Sequence, residues 1–230
     1  MSDYHSDIVV IGAGIAGLVA AHECLERGKS VTLVDRHDEA NVGGLARMAF
    51  GGMALIDTPI QRRMGVKDSP TLALADWHSF AEFPDADIWP KSWAEAYVEQ
   101  SAERVFHWLR DKGLRFMPAV NWVERGNFAP GNSVPRYHIL WGTGLALVNR
   151  FVELIAEHPN ADKLRYVFGC RVSDLLEEGG RISGCRGEIE ATGEQVEFFG
   201  GQTVVATGGI NGNLQKVRDN WYWGNPPADI

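Results

Sequence analysis

Hydrophobic residues follow two different spacings along this chain, and each change of spacing marks an element. Residues 7–11 are a short β-branched run that stops at Gly12; from Ile15 to Arg27 the apolar positions take on helical spacing until Gly28 ends them. A second strand, 31–35, is predicted to follow at once. Strand, helix and strand within about 30 residues require a crossover connection. The two strands are therefore predicted to be parallel neighbours, and the chain reads as α/β from its start.

The middle of the chain has a different texture, with six tryptophans between Trp77 and Trp141. Large aromatics fill cores more often than they line pockets, so core packing is the expectation and a wall for a hydrophobic substrate the alternative. Ser69 before Pro70 predicts a helix start, a capping hydroxyl followed by proline at the first helical position. Ser92 with Glu95 reads as a capping box ahead of an apolar stripe at Ala94, Val98, Ala102, Val105 and Leu109, ending at Gly113. Both helices are expected to pack on a surface. Residues 126–135 are rich in turn formers and read as a loop. A third helix, about 143–157, is apolar on most faces and is expected to be buried.

Short strands are predicted at 164–168, 170–176, 181–189 and 195–199, with turns at 178–180 and 192–194. Their simplest arrangement is an antiparallel meander. Residues 203–206 then form a final buried strand that runs into Thr207, Gly208 and Gly209. The fold class is α/β, a Rossmann-like domain with a parallel sheet, an antiparallel β-meander and a helical, tryptophan-rich insertion over 53–141.

Composition narrows the functions available. The 22 basic and 30 acidic residues give a formal charge of -8, which opposes attraction to nucleic acid or anionic lipid. Cys24, Cys170 and Cys185 lack metal-ligand or redox spacing and read as reduced packing residues of a cytoplasmic protein. The longest apolar run, 8–21, is too short and too glycine-rich for a membrane span. What stands out is glycine, 26 of 230 residues against a usual ~7%.

Gly12, Gly14 and Gly17 form a GxGxxG between a strand and a helix, the context the motif requires. Gly12 permits the tight turn, Gly14 the approach of a pyrophosphate, and Gly17 close helix packing. The loop and first turn, Gly12, Ala13, Gly14, Ile15, Ala16 and Gly17, would offer free N–H groups and a positive dipole end to an anion. Asp35 lies 18 residues after Gly17 and suits a ribose diol. Gly43 with Gly44, Gly51 with Gly52, and the end of 203–209 are further glycine clusters able to reach the same dinucleotide. They favour FAD over NAD, and an NAD-dependent dehydrogenase is kept as an alternative.

The segments DIVVIGAGIAGLVAA, GGLARMAFGG, SVPRYHILWGTG and VVATGGINGN resemble the flavin domain of the FAD-dependent oxidoreductase group containing soluble fumarate reductases and 3-ketosteroid 1-dehydrogenases, with bacterial FAD-binding dehydrogenases nearest. The resemblance implies that Gly12, Gly14, Gly17 and Asp35 hold the ADP half, with Arg36 beside the ribose and Val172 meeting adenine through its backbone. Gly43, Gly44, Leu45, Ala46, Gly51 and Gly52 would line pyrophosphate and flavin, and Ala206, Thr207, Gly208 and Gly209 would close the site. Relatives with covalently attached FAD have histidine where this chain has Leu45, so FAD is expected to be noncovalent.

An enzyme of this kind moves hydride between flavin N5 and a carbon β to a carbonyl, with a proton moving at the α carbon. Arg136 and His138 are the local candidates, one to bind a carbonyl or carboxylate, the other to relay a proton. The competing reading makes both anchors of a loop. His78 and His107 read as packed or surface histidines and Arg62-Arg63 as a solvated loop pair; no metal cluster or Ser/His/Asp arrangement stands out. The partners implied are a small-molecule substrate and an electron acceptor that the sequence does not identify. The group's members continue past this motif into a substrate-capping domain and a last flavin-binding segment. The 230 residues therefore read as the N-terminal part of an FAD-binding domain, completed by further chain or by a downstream polypeptide. A noncatalytic flavin-binding module is the other alternative.

Overall fold

A computed structural model describes residues 2–123 and 130–221. The elements in chain order begin with β1 (Ser2–Ile11), α1 (Ile15–Glu26), β2 (Val31–Val34), α2 (Gly44–Met48), β3 (Gly52–Ala54), α3 (Pro59–Arg63), α4 (Pro70–Ala81), α5 (Ile88–Ser101) and α6 (Trp108–Asp111). They continue through β4 (Tyr137–Ile139), α7 (Thr143–Ala156), β5 (Leu164–Val167), β6 (Cys170–Glu178), β7 (Arg181–Ile189), β8 (Glu194–Val205) and α8 (Leu214–Asp219). Contacts divide the chain into two compact units, Met1–Gly44 with Leu154–Ile230, and Leu45–Glu153. The second unit thus begins before, and ends after, the span 53–141.

In the first unit one six-stranded sheet has the order β5-β2-β1-β8-β7-β6. β1 sits between β2 and β8 and is parallel to both, so Val9 and Val10 are buried and the strand reads as a continuous apolar run rather than an alternating one. α1 ends as predicted. Gly28 takes φ +69 and its N–H bonds the Leu25 carbonyl while the Lys29 N–H bonds that of Cys24, as a left-handed C-terminal residue allows. One core under the sheet gathers Val9, Ile11, Val34, Cys170, Cys185 and Phe198. Burial pushes the Cys170 thiol up to about 11 and Cys185 up to about 12, which suits inert packing groups.

Four sequence expectations change in this unit. β1 starts at Ser2 instead of residue 7, because its polar beginning pairs with Val196–Gly200 and places Tyr4 on Phe198 and His5 on Phe199, each 5.1 Å between ring centroids. The 164–168 strand does not belong to the meander; β5 runs parallel to β2 at the sheet edge, leaving β6, β7 and β8 as the antiparallel part. Strands 195–199 and 203–206 are one strand, β8. At Gly200, inside it, a Cβ would come to 3.0 Å from Val9 Cγ2, so the glycine permits close packing. The end of β8 is not buried, since Val205 is 59% exposed.

The second unit is mainly helical. Ser69 caps α4, its hydroxyl accepting from Leu72 N–H at 3.2 Å. The Ser92 capping box does not form. α5 begins at Ile88 after Asp87, Pro90 falls in the first turn where its missing N–H costs nothing, and Ser92 Oγ instead donates to the Ile88 carbonyl. Between α5 and α6, residues Ala102–His107 form a π-helical turn. Its wider step moves the buried stripe from Ala94, Val98 and Ser101 to Phe106 and Leu109, so Ala102 is only half-buried. A capping box forms instead at α3: Thr58 accepts from Gln61 N–H, and the Gln61 side chain accepts from Thr58 N–H. It starts α3, so Arg62 and Arg63 are helical, not loop residues, and Arg62 pairs bidentately with Asp57.

α7 is amphipathic rather than buried. Leu147, Val148, Phe151 and Ile155 are covered while Leu145 and Val152 face solvent. Core packing of the tryptophans fails as a rule: Trp89, Trp93 and Trp141 are 76%, 74% and 66% exposed, whereas Trp108 stacks on Phe151. His78 is exposed and His107 half-buried. Part of the 126–135 loop, residues 126–129, lies outside the described residues. No helix among the described residues is long and apolar enough to cross a membrane.

Candidate cofactor site

Three glycine segments meet at the ends of β1, β2 and β8 in the first unit, and each glycine is required for a different reason. Gly12 has φ +107, and a Cβ there would lie 2.4 Å from the Ala206 carbonyl oxygen. Ala206 N–H in turn bonds the Ile11 carbonyl at 2.8 Å. The first and last glycine motifs are therefore interlocked through backbone, and neither turn admits a side chain. A Cβ on Gly17 would sit 1.8 Å from the Gly12 carbonyl oxygen, so this glycine lets α1 lie against the end of β1.

Gly14 differs. Its φ of -70° and ψ of 178° suit any residue, and a Cβ there would meet nothing within 4 Å. No packing contact among the described residues requires glycine at this position, where the N-cap preference for glycine over alanine is modest, whereas a group resting on the backbone does require it. Gly14 is also the N-cap of the 12-residue α1, with no side-chain cap and no acidic residue in the first turn. Gly14, Ile15, Ala16 and Gly17 thus present an uncapped helix N-terminus, which favours an anion through its N–H groups and dipole. The fit to a pyrophosphate is good.

The surrounding loops are built onto this cradle. Gly43 N–H bonds the Ala13 carbonyl at 2.8 Å, Gly14 and Gly43 pair as an isolated parallel bridge, and Gly44, at φ +51, would place a Cβ 3.6 Å from Gly14 Cα. Asp35 lies just beyond β2. Its Oδ2 accepts from Ala13 N–H at 2.5 Å and its Oδ1 from His37 N–H at 2.7 Å. The carboxylate thereby fixes the glycine loop, a link the spacing alone could not show. Gly208, at φ +80, and Gly209 also have open space where a Cβ would be, while Thr207 and Ala206 carry the chain past Gly12. Val172 precedes a bulge in β6, where the register with β7 shifts between Val172 and Asp174. Arg36 is held by Glu190, a residue the sequence reading missed because it follows β7, far from every motif.

The remaining candidates belong to the second unit. Leu45 is 77% exposed. The Ala46 carbonyl lies where a Cβ on Gly144 would come to 2.0 Å. Gly51 and Gly52 have structural reasons of their own: a Cβ on Gly51 would be 2.7 Å from Thr143 carbonyl carbon, and one on Gly52 would overlap the Tyr137 ring at 1.8 Å.

Arg136 is 2% exposed. Its guanidinium makes four hydrogen bonds, two to Asp68 at 2.9 and 2.8 Å, one to Asp76 at 2.6 Å and one to Asn132 at 2.6 Å. Burial alone would raise the Asp76 carboxyl, but hydrogen bonds from Ser133 and Arg136 carry it below the usual carboxylate range. His138 is fully buried; Nδ1 donates to the Arg136 carbonyl at 2.6 Å and Nε2 accepts from the Thr58 hydroxyl at 2.7 Å. Burial lowers its pKa. This geometry favours the anchoring reading of both residues. The same unit has a cavity of about 240 Å³ whose lining includes Ile56, Trp77, Phe80, Tyr97 and Arg136.

Comparison with known proteins agrees with the cradle. A family model described as "FAD binding domain" matches residues 7–225. A KsdD-like steroid dehydrogenase of Mycolicibacterium smegmatis is 44% identical, with 94% of this chain aligned to 42% of that protein. A 3-ketosteroid-Δ4-(5α)-dehydrogenase structure from Rhodococcus jostii superposes with a TM-score of 0.77 at 25% identity, covering 95% of this chain and 49% of that one. A flavocytochrome c3 fumarate reductase, at 23% identity, has the same fold, with a TM-score of 0.77 over 94% of this chain and 36% of its own. The chain thus spans less than half the length of each of these three.

Proposed function

The chain belongs to the FAD binding domain family, and from that premise we propose that it is the FAD-binding portion of a flavin-dependent oxidoreductase acting at a carbon–carbon bond beside a carbonyl. The observation that carries the reading is the contrast among the three motif glycines. Gly12 and Gly17 are demanded by packing, whereas a Cβ at Gly14 would meet nothing and would stand in the way of a group laid on the backbone.

In this proposal the N–H groups of the first turn of α1, with Gly14, Ile15, Ala16 and Gly17, bind the pyrophosphate. Asp35 and Arg36 receive the ribose, and the backbone of Val172 the adenine. Gly43, Gly44 and the stretch Ala206, Thr207, Gly208 and Gly209 enclose the cofactor. Leu45, Ala46, Gly51 and Gly52 keep their assignment to the flavin half on the strength of sequence resemblance, with packing inside their own unit a sufficient reason for Gly51 and Gly52. Leu45 has no nucleophilic nitrogen, so the cofactor is held noncovalently. Bound flavin supplies hydride transfer at N5; the residues of this chain bind and orient it. Arg136 and His138 serve as anchors, since the buried guanidinium is committed to two carboxylates and an amide.

The substrate class is a small, apolar ketone of steroid type, by analogy with the names of the relatives at 44% and 25% identity. The acid and base groups for the α-carbon proton lie in chain beyond these residues. That reading is supported by coverage of 42% of the relative's length. Three free cysteines suit a reducing cytoplasm.

The test is anaerobic mixing of the FAD-loaded chain with a 3-oxosteroid, alone and together with any polypeptide encoded immediately downstream. Flavin binding with little or no turnover by the chain alone is the expected result. Robust turnover from the 230 residues would refute the division of labour.

A further inference from the structure

Glu190, directly after β7, connects two segments that the FAD reading assigns to different parts of the adenosine. Its carboxylate accepts from Arg36 Nε and Nη2, both at 3.0 Å, and lies 3.6 Å from Arg171 Nε. Arg36 immediately follows Asp35 and Arg171 immediately precedes Val172. The backbone is tied along the same line: Glu190 N–H bonds the Gly169 carbonyl at 2.9 Å, Gly169 N–H that of His37 at 3.1 Å, and Cys170 N–H that of Asp35 at 3.0 Å. The hydrogen bonds from Arg36 lower the Glu190 pKa, with Arg171 adding to the effect. One carboxylate therefore joins the turn after β2 to the start of β6.

The bidentate fork fixes the plane of the Arg36 guanidinium. It uses Nε and Nη2, and Nη1 has no hydrogen bond among the described residues. We propose that Glu190 is a positioning residue for the adenosine half of FAD, holding Arg36 at the rim so that its remaining edge and its plane meet the ribose and adenine bound at Asp35 and Val172. The inference rests on the FAD reading above. Its physical basis is preorganisation: a long side chain held in place before binding loses less freedom when the ligand arrives. Arg36 and Glu190 are 64% and 38% exposed at their side chains, so the pair is screened and its effect modest.

The experiment titrates the full chain, as wild type, Glu190→Gln, Arg36→Ala and the double variant, with FAD, ADP and FMN. FMN lacks the adenosine. Glu190→Gln is expected to raise the Kd for FAD and for ADP by about twofold to fivefold, leave FMN binding unchanged, and add nothing in the Arg36→Ala background. A purely structural ion pair would shift all three ligands together or none. An unchanged FAD Kd in Glu190→Gln, an equal shift for FMN, or additive effects in the double variant overturns the proposal while leaving the FAD reading intact. Failure of the wild-type chain to bind FAD overturns both.

Discussion

Replacing single glycines of the GxGxxG separates what the fold needs from what the cofactor needs. Gly14→Ala adds a methyl where nothing lies within 4 Å, at a backbone φ of -70° that alanine adopts readily. Its cost to the fold is the poorer N-cap, about 1 kcal/mol or less, which for a domain of this size lowers Tm by at most about 3 °C. Gly12→Ala instead forces a Cβ to 2.4 Å from the Ala206 carbonyl oxygen at φ +107. Overpacking plus a forbidden dihedral costs about 3 to 5 kcal/mol, or about 10 °C and upward. FAD affinity should reverse the ranking of harm for Gly14. A methyl in the space meant for the pyrophosphate costs about 1 to 3 kcal/mol of binding, so Kd rises about fivefold to a hundredfold. Thermal melts of flavin-free protein and fluorescence titrations with FAD measure the two quantities. If Gly14→Ala melts as low as Gly12→Ala, or binds FAD as tightly as wild type, the assignment of Gly14 to the cofactor is wrong.

The other predictions concern the second unit and the cofactor linkage. Arg136→Met leaves Asp68 and Asp76 buried without their cation and should cost about 3 to 5 kcal/mol in urea unfolding; a loss under about 1 kcal/mol would remove the anchoring role. His138 has its folded pKa below its unfolded value, so its stabilising effect is complete above about pH 6.5 and is lost as pH falls towards the folded pKa. Tm should therefore drop from pH 7 to 5 more steeply in wild type than in His138→Gln, and equal slopes would contradict this. Because Leu45 cannot form a flavin bond, acid precipitation of loaded protein should leave a colourless pellet and yellow supernatant; flavin retained in the pellet would show a covalent link.

Much of the first unit was legible because its signals are local. An apolar run, a glycine at a φ that only glycine favours, and an acid at the end of the second strand all point to the same crossover, and the structure interlocks Gly12 with Ala206 accordingly. What escaped depended on distant partners. The polar start of β1 is a strand only because Phe198 and Phe199 lie beside Tyr4 and His5, and 195–199 and 203–206 read as separate strands until Gly200 is seen packed against Val9. The Ser92 box lost to an earlier start at Ile88, and a π-helical turn shifted the helix phase so that Phe106 replaced Ala102 inside. Arg136 and His138 have residue types suited to chemistry, yet burial and their hydrogen bonds give them a structural task. Glu190 carries no motif at all and becomes visible only through the side chains it holds.

The most direct test of the central claim is the titration of the purified 230-residue chain with FAD, followed by its visible spectrum and by competition with ADP and NADH. Saturable binding of one FAD per chain, displaced by excess ADP and retained against equimolar NADH, is the predicted result. A chain that stays colourless with FAD and binds NADH in its place would contradict it.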